Sequence, residues 1–225
     1  MTGNNSIKNI TEEMLADLRV KVGKNMTQKR YLHTLGVEKM ASAISDLYCP
    51  DRKNILRAAA LLHDITKAYD TEKHVELLKK YHVKFDREEI FSPKTLHEKT
   101  AALLIPQLYP DFADKIVINA VRYHTTGRAF MSLEEKIVYL ADYIDETRKF
   151  DDCVKLRELF WGANPEKMNL TERLEHLDKI MLISFDMTIK GLIEEGQIIN
   201  KETTEARNQL ILRLKKTTEG GFSDG

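Results

Sequence analysis

Apolar residues recur at steps of three and four along most of the chain, which is the period of an amphipathic α-helix. This pattern predicts a helix from Thr27 to Tyr48, ended by Cys49-Pro50-Asp51. Residues 54–67 are apolar on most sides, so they are predicted to form a helix in the middle of a bundle. Further helices are predicted over residues 71–81, 92–108, 112–124, 133–148, 170–196 and 203–216.

Residues that begin or end helices support these boundaries. Ser92-Pro93 is typical of an N-cap followed by proline in the first turn, and Pro106 is expected to kink or shorten that helix. Gly127 is predicted to stop the helix before it. Ser132 with Glu135 fits a capping box. The best strand candidate, residues 81–86, is too short to be convincing, so the predicted fold class is all-α.

The composition fits one domain, or one domain with an appendage. The chain has 225 residues, of which 42% are hydrophobic and 31% charged, as in ordinary globular proteins. It contains 35 Lys and Arg and 35 Asp and Glu, and this zero net charge argues against a nucleic-acid binder. Cys49 and Cys153 provide no disulfide framework. With no apolar stretch long enough for a membrane and no apolar signal core, the chain is predicted to be cytoplasmic.

Four histidines lie on the apolar sides of four different predicted helices, and two aspartates accompany them. The histidines are His33, His63, His97 and His124. Asp64 follows His63 directly, and Asp142 lies one turn after Val138. A buried carboxylate is costly unless it is paired, and a divalent cation with imidazole ligands would pair both. The mixed nitrogen and oxygen donors suit iron, manganese or zinc.

Placement on an apolar face does not by itself identify a ligand. His74 also lies near Leu77 and Leu78, with no acidic companion, and many such histidines are hydrogen-bonded core residues. A helical scaffold without metal therefore stays an alternative. The adjacent His63 and Asp64 favour the metal, because two ligand-type residues in so apolar a segment are hard to explain by packing.

The order of residues His, His-Asp, His, His, Asp resembles that of the HD-domain metal-dependent phosphohydrolase superfamily. The short sequence segments around these residues are similar to those of its YqeK family. The segments that carry the resemblance are RYLHTLGV (30–37), LLHDITK (61–67), LHEKTAA (96–102) and RYHTTGRAFMSLEEKIVYLADYIDETR (122–148). The resemblance covers about residues 26–160. It implies an all-helical HD-domain bundle, and the activity it implies is symmetrical hydrolysis of diadenosine tetraphosphate to two ADP.

The resemblance also implies the roles of individual residues. Metal ligands would be His33, His63, Asp64 and Asp142, with iron favoured, and His97 and His124 would complete a second metal site or contact phosphate. The implied catalytic residues are Asp64, Lys67, His97 and His124. The expected substrate contacts come from the same pocket and its rim: His33, Lys67, His97, His124, Thr125, Thr126, Gly127, Arg128 and Arg148. The segment Asp145-Glu146-Thr147 departs from the family, where it often reads Glu-Pro.

Three other functions stay open at this point. The chain could be an HD phosphohydrolase of mononucleotides or of a cyclic dinucleotide, or a nucleotide-binding module without turnover.

The expected organisation is an N-terminal extension (1–25), an HD core (26–160), C-terminal helices packed on the core (161–216) and a frayed tail (217–225). The expected partner is a small nucleotide, with neither nucleic acid nor membrane. The C-terminal helices either close the bundle or pair two subunits as a homodimer.

Overall fold

The computed structural model of the chain describes residues 9–218, and every regular element within that range is a helix. The all-α prediction is therefore confirmed. The α-helices of the described range are α1 (Glu12–Gly23), α2 (Gln28–Tyr48), α3 (Lys53–Leu62), α4 (Thr71–Lys80), α5 (Arg87–Ile90), α6 (Leu96–Leu108), α7 (Lys115–Arg122), α8 (Leu133–Ile144), α9 (Asp151–Gly162), α10 (Leu170–Glu194) and α11 (Lys201–Thr218). Short 3-10 turns, each beginning at a proline, precede α3, α6, α7 and α10.

Side-chain caps fix where several helices begin. Thr27 accepts a hydrogen bond from the backbone N–H of Arg30 at the start of α2. Ser132 and Glu135 form the predicted capping box of α8, in which each side chain binds the other's backbone N–H. These bonds satisfy N–H groups that have no partner within the helix. The sequence therefore places the start of α8 correctly, and with it the register of Asp142.

Helix α3 lies at the centre of the bundle and packs against α1, α2, α7 and α8. Five consecutive residues at its end, 58–62, have no exposed surface. Three of them are alanines, whose small side chains allow neighbouring helices to approach closely. The predicted central position of this segment is confirmed, and it brings the residues that follow Leu62 into the interior.

The N-terminal extension of the sequence contains α1, and this helix belongs to the same core. Leu15, Leu18 and Val22 are fully buried there. Arg19 also donates two hydrogen bonds to Glu38 of α2, at 2.7 and 2.6 Å. Residues 12–23 are therefore part of the helical bundle.

Two predicted helices end earlier than their apolar pattern suggests. Helix α3 ends at Leu62, so that His63, Asp64 and Lys67 lie in turns. The prediction that this helix continues to Lys67 was wrong. The backbone N–H groups of Ile65, Lys67 and Tyr69 bind the carbonyl oxygen three residues earlier, which is the tighter pattern of a turn and not that of an α-helix. Helix α7 likewise begins after Asp114 and ends at Arg122, before His124.

Four smaller differences concern loops and helix ends. Ser92 makes no side-chain cap, and α6 begins after a 3-10 turn at residues 93–95. Helix α6 continues through Pro106 to Leu108. The polar loop before Ile90 contains the short helix α5, and α8 stops at Ile144 rather than at residue 148.

The C-terminal helices pack on the bundle and on each other. Phe160 of α9 and Phe185 of α10 are fully buried. The ammonium group of Lys136 in α8 contacts the buried Asp178 of α10, whose other oxygen lies 2.9 Å from Nε of Arg213 in α11. Of the predicted frayed tail, residues 219–225 lie outside the described range.

Among the described residues, 9–218, no helix has the length and apolar character that crossing a membrane requires.

Candidate metal centre

His63 and His124 are held in the same way, each just beyond the end of a helix. The Nδ1 atom of His63 lies 2.6 Å from the carbonyl oxygen of Ala60, and that of His124 lies 2.6 Å from the carbonyl of Val121. A ring nitrogen beside a carbonyl oxygen carries the hydrogen, so the lone pair of each ring belongs to Nε2. In its neutral form, each imidazole therefore presents the lone pair of Nε2 to the same interior space.

Two aspartates face these imidazoles. Asp64 Oδ2 lies 3.3 Å from His63 Nε2 and 3.8 Å from His33 Nε2. Asp142 Oδ1 lies 3.0 Å from His33 Nε2 and 3.6 Å from His63 Nε2. The four predicted metal ligands thus come together, from α2, from the turn after α3 and from the last turn of α8.

The other two histidines lie on the opposite side of Asp64. His97, in the first turn of α6, places Nε2 3.2 Å from Asp64 Oδ1, and His124 Nε2 lies 3.8 Å from the same oxygen. The two Nε2 atoms are 2.9 Å apart. Asp64 therefore stands between two groups of imidazoles, with one carboxylate oxygen toward each.

The donor atoms fit a divalent cation. Three groups of ligand atoms each lie within 4.8 Å of one another: His33 with His63 and Asp64, His63 with His124 and Asp142, and Asp64 with His97 and His124. His33 Nε2 and His63 Nε2 are buried, and their contacts with Asp142 and Asp64 do not have hydrogen-bond geometry. Buried polar atoms in proteins are normally paired, so these two orphan nitrogens point to a ligand. Imidazole and carboxylate are the donors that iron, manganese and zinc accept.

Two arginines lie against the paired carboxylates. Arg30 Nη1 donates to Asp64 Oδ2 at 2.5 Å, and Arg148 Nη2 donates to Asp142 Oδ1 at 2.6 Å. Both side chains keep about a third of their surface exposed, 36% and 30%. They form a cationic rim suited to phosphate. The sequence analysis named Arg148 as a substrate contact, which stays a prediction, and gave no role to Arg30, although its position one turn before His33 could have indicated it.

Lys67 reaches the histidine pair from the side. Its Nζ lies 3.1 Å from His97 Nε2, and burial lowers the pKa of this half-buried ammonium group. Burial also lowers the pKa of His97 to about 3, so this imidazole is neutral at pH 7. Lys67 therefore reaches the centre from a turn and not from the helix that would also carry His63.

The charged partners determine the other pKa values of the centre. Burial disfavours the charged form of His33, but Asp142 and Asp145 outweigh it and raise the pKa of His33 to about 9. Burial also opposes ionisation of Asp142, yet Arg148 and His33 hold the pKa of this carboxyl well below its usual range. Both carboxylates are thus ionised at neutral pH, since the pKa of Asp64 is also lowered, by His63 and its neighbours against the effect of burial.

The residues of segment 125–128, which were predicted to surround an anion, have two different sets of partners. Thr125 Oγ1 lies 3.3 Å from His97 Nε2, so this hydroxyl belongs to the centre. Thr126 instead donates its N–H and hydroxyl to Glu98, and Arg128 donates two bonds to Glu135. Gly127 has a left-handed φ of 64°, and an added Cβ would lie 2.6 Å from Phe185. The donors of Thr126 and Arg128 are therefore engaged by protein carboxylates.

Sequence reasoning missed the two glutamates that hold this segment. Glu98 has no exposed surface and accepts hydrogen bonds from Thr125, Thr126 and Arg122. Glu202 of α11 accepts from Arg122 at 2.8 Å, and its other oxygen lies 3.1 Å from the Thr126 hydroxyl oxygen. A charged residue in an amphipathic helix is usually solvated, so no pattern in the sequence distinguishes these two from the many exposed glutamates.

Comparisons with known proteins agree with this geometry. A family model described as the HD domain matches residues 30–147. The chain is 32% identical to the symmetrical bis(5'-nucleosyl)-tetraphosphatase of Halalkalibacterium halodurans, over 85% of this chain and 94% of that protein. It is 31% identical to the Bacillus subtilis protein of the same name, over 89% and 97% of the two chains.

A solved structure is similar throughout its length. It is a crystal structure from Clostridium acetobutylicum, described as a predicted HD superfamily hydrolase involved in NAD metabolism. The two chains are 34% identical and superpose with a TM-score of 0.74, over 88% of this chain and 97% of the other. Since the family model spans more than half of the sequence and includes all six metal-type residues, this chain belongs to the HD domain family.

Proposed function

We propose that this protein hydrolyses diadenosine tetraphosphate symmetrically, to two ADP, with the help of a divalent metal. The observation that carries this proposal is the convergence of four histidines and two aspartates, with lysine and arginine around them. Relatives named as symmetrical bis(5'-nucleosyl)-tetraphosphatases over nearly their whole length support the substrate and the position of cleavage.

The residues that would hold the metal are those whose ligand atoms converge on the centre. His33, His63, Asp64 and Asp142 would hold one ion, and Asp64 with His97 and His124 would hold a second or contact phosphate. Such an ion, when bound, supplies positive charge for phosphate oxygens and acidifies water. The resemblance favours iron, and the same donors accept manganese or zinc.

The cationic side chains around the centre would bind the phosphates and donate a proton to the leaving group. Arg148 has a partly exposed guanidinium group suited to two phosphate oxygens, and the Thr125 hydroxyl adds a donor. Lys67 would give its proton to the oxygen of the departing ADP, and this role is supported by burial, which lowers the pKa of its ammonium group. His97, neutral at pH 7, stabilises that ammonium group through the 3.1 Å contact.

Product analysis tests the proposal directly. Full-length protein would be stripped with chelator, reloaded with Fe²⁺, Mn²⁺ or Zn²⁺, and incubated with diadenosine tetraphosphate before chromatography. The expected product is ADP alone, formed only in the reloaded samples. ATP with AMP would reject symmetrical cleavage, and activity that survives metal removal would reject the metal.

Two other functions predict different results in the same assay. A phosphohydrolase of other nucleotides would leave the dinucleotide intact and cleave mononucleotides or a cyclic dinucleotide. A nucleotide-binding module would bind the dinucleotide without turnover.

Other properties stay predictions: cytoplasmic location, the absence of a nucleic-acid or membrane partner, and assembly as a homodimer. Light scattering would test the dimer.

A further inference from the structure

The imidazole of His33 has a different partner on each of its two nitrogens. Nε2 faces the centre, 3.0 Å from Asp142, while Nδ1 lies 3.2 Å from Asp145 Oδ2 and 3.4 Å from the Thr147 hydroxyl oxygen, to which it is hydrogen-bonded. Asp145 has no exposed surface and is the residue that ends α8, three positions after Asp142. One helix end therefore contributes a carboxylate to each side of the same ring.

The Asp145 carboxylate is held in place by its own surroundings. Its Oδ1 accepts hydrogen bonds from the backbone N–H of Thr147, at 2.8 Å, and from the Thr147 hydroxyl. Oδ2 accepts no hydrogen bond and faces His33 Nδ1 as a charge contact at 3.2 Å, with Nε of Arg148 farther away at 3.6 Å. Arg157 of α9 donates to the carbonyl oxygens of Ile144, Asp145 and Arg148, which fixes the backbone on both sides.

Gly36, one turn after His33 on α2, makes this approach possible. A Cβ at position 36 would lie 2.8 Å from Asp145 Oδ1 and 3.0 Å from Cγ2 of Thr147. A contact shorter than 3.0 Å requires one of the two groups to shift, and a shift of Oδ1 disturbs its hydrogen bond from the Thr147 N–H. A side chain at position 36 would therefore displace the Asp145 carboxylate from the position in which it meets His33.

We propose that Asp145 is a positioning residue, whose carboxylate keeps the hydrogen of His33 on Nδ1 and directs Nε2 at the metal, with Gly36 providing the space that it needs. This inference rests on the metal site of the proposed function. A carboxylate on the outer nitrogen of a ligating histidine fixes the tautomer and the ring orientation, and its loss typically weakens metal binding about 10- to 100-fold.

Binding of Mn²⁺ to chelator-stripped protein, measured by calorimetry, tests the inference without reference to activity. Asp145→Asn, which keeps the shape but removes the charge, is expected to weaken binding about 10- to 100-fold. Gly36→Ala is expected to weaken it in the same range. The double variant should lose less than the product of the two single losses, because both changes act on one contact.

Gly191→Ala is the matched control, since Gly191 lies within α10 and an added Cβ meets no atom within 4 Å. It should bind Mn²⁺ like the wild type. Wild-type affinity in Asp145→Asn would overturn the inference, and independent losses in the double variant would overturn the part assigned to Gly36. If Asp145→Asn does not fold, Gly36→Ala decides alone, with unchanged affinity counting against the inference. Failure of the wild type itself to bind Mn²⁺ would instead reject the metal site.

Discussion

Glu98 binds Thr126 through both of its carboxylate oxygens. Oε2 accepts the backbone N–H of Thr126 at 3.1 Å, and Oε1 accepts its hydroxyl at 2.8 Å. The same carboxylate accepts the N–H of Thr125 and a guanidinium hydrogen of Arg122, each at 3.0 Å. A single buried side chain of α6 therefore fixes the backbone directly after His124.

Removal of this carboxylate is expected to destabilise the fold strongly. Glu98→Ala leaves buried donors and the Arg122 charge without their partner, at a cost of about 3–5 kcal/mol, whereas Glu98→Gln keeps the shape and should cost less. Urea unfolding of the metal-free proteins measures both. Glu158→Ala, at an exposed position of α9, is the control and should stay within about 0.5 kcal/mol of the wild type. A cost for Glu98→Ala no larger than this would contradict the prediction.

Asp64 is the carboxylate shared by both groups of imidazoles, so its loss should remove the metal. We expect Asp64→Ala to retain little metal after purification and to lose hydrolysis more than about a thousandfold, beyond the range for outer partners of a ligand. Elemental analysis and dinucleotide turnover measure the two effects. Asp186→Ala, at an exposed position of α10, should behave like the wild type. Normal turnover in Asp64→Ala would exclude the centre.

Lys67 offers a test of proton transfer against simple charge. If Lys67 donates a proton, Lys67→Gln should lower kcat about 10²- to 10⁴-fold while metal content is unchanged. Lys67→Arg should not rescue kcat, because arginine keeps its charge but holds its proton too firmly at neutral pH. Lys94→Gln, at an exposed position, controls for the loss of a charge. Recovery of kcat in Lys67→Arg would show that the charge alone suffices.

His74 should make the fold sensitive to mild acid. Its Nδ1 lies 2.8 Å from Thr100 Oγ1, and burial lowers the pKa of this histidine. The unfolded chain therefore takes up the proton first, so the stability that His74 contributes is present above about pH 6.5 and is lost as the pH falls toward the lower pKa of the folded state.

Measurement of the unfolding free energy between pH 7 and pH 5 checks this expectation. His74→Asn should flatten the decline on acidification. His82→Asn is the matched control, because His82 is exposed and has a left-handed φ of 55° that asparagine tolerates. An equal decline in His74→Asn and in the wild type would show that His74 is not responsible.

The sequence predicted which histidines and aspartates come together better than it predicted their local structure. The histidines and aspartates on apolar faces were recognised because a polar group in an apolar stretch needs a partner. Their exact setting could not be predicted, since α3 and α7 end before His63 and His124 without any change in the apolar pattern. Helix continuation was therefore predicted where turns occur.

The supporting residues were missed for a different physical reason. Arg30, Glu98 and Asp145 are charged residues near helix ends, and such residues are solvated in most proteins. What buries them is the arrival of segments distant in sequence, as when Thr125 reaches Glu98 from 27 positions away. Only the tertiary arrangement distinguishes them from the charged residues of the surface.

The contacts of α11 have a consequence for the order in which the protein matures. Thr203 donates to the carbonyl oxygen of Thr126 at 2.9 Å, and Glu202 binds Arg122 and Thr126. The bonded residues are separated by 76 and 77 positions in the chain. During translation, residues 122–126 therefore stay without these contacts until α11 has been synthesised.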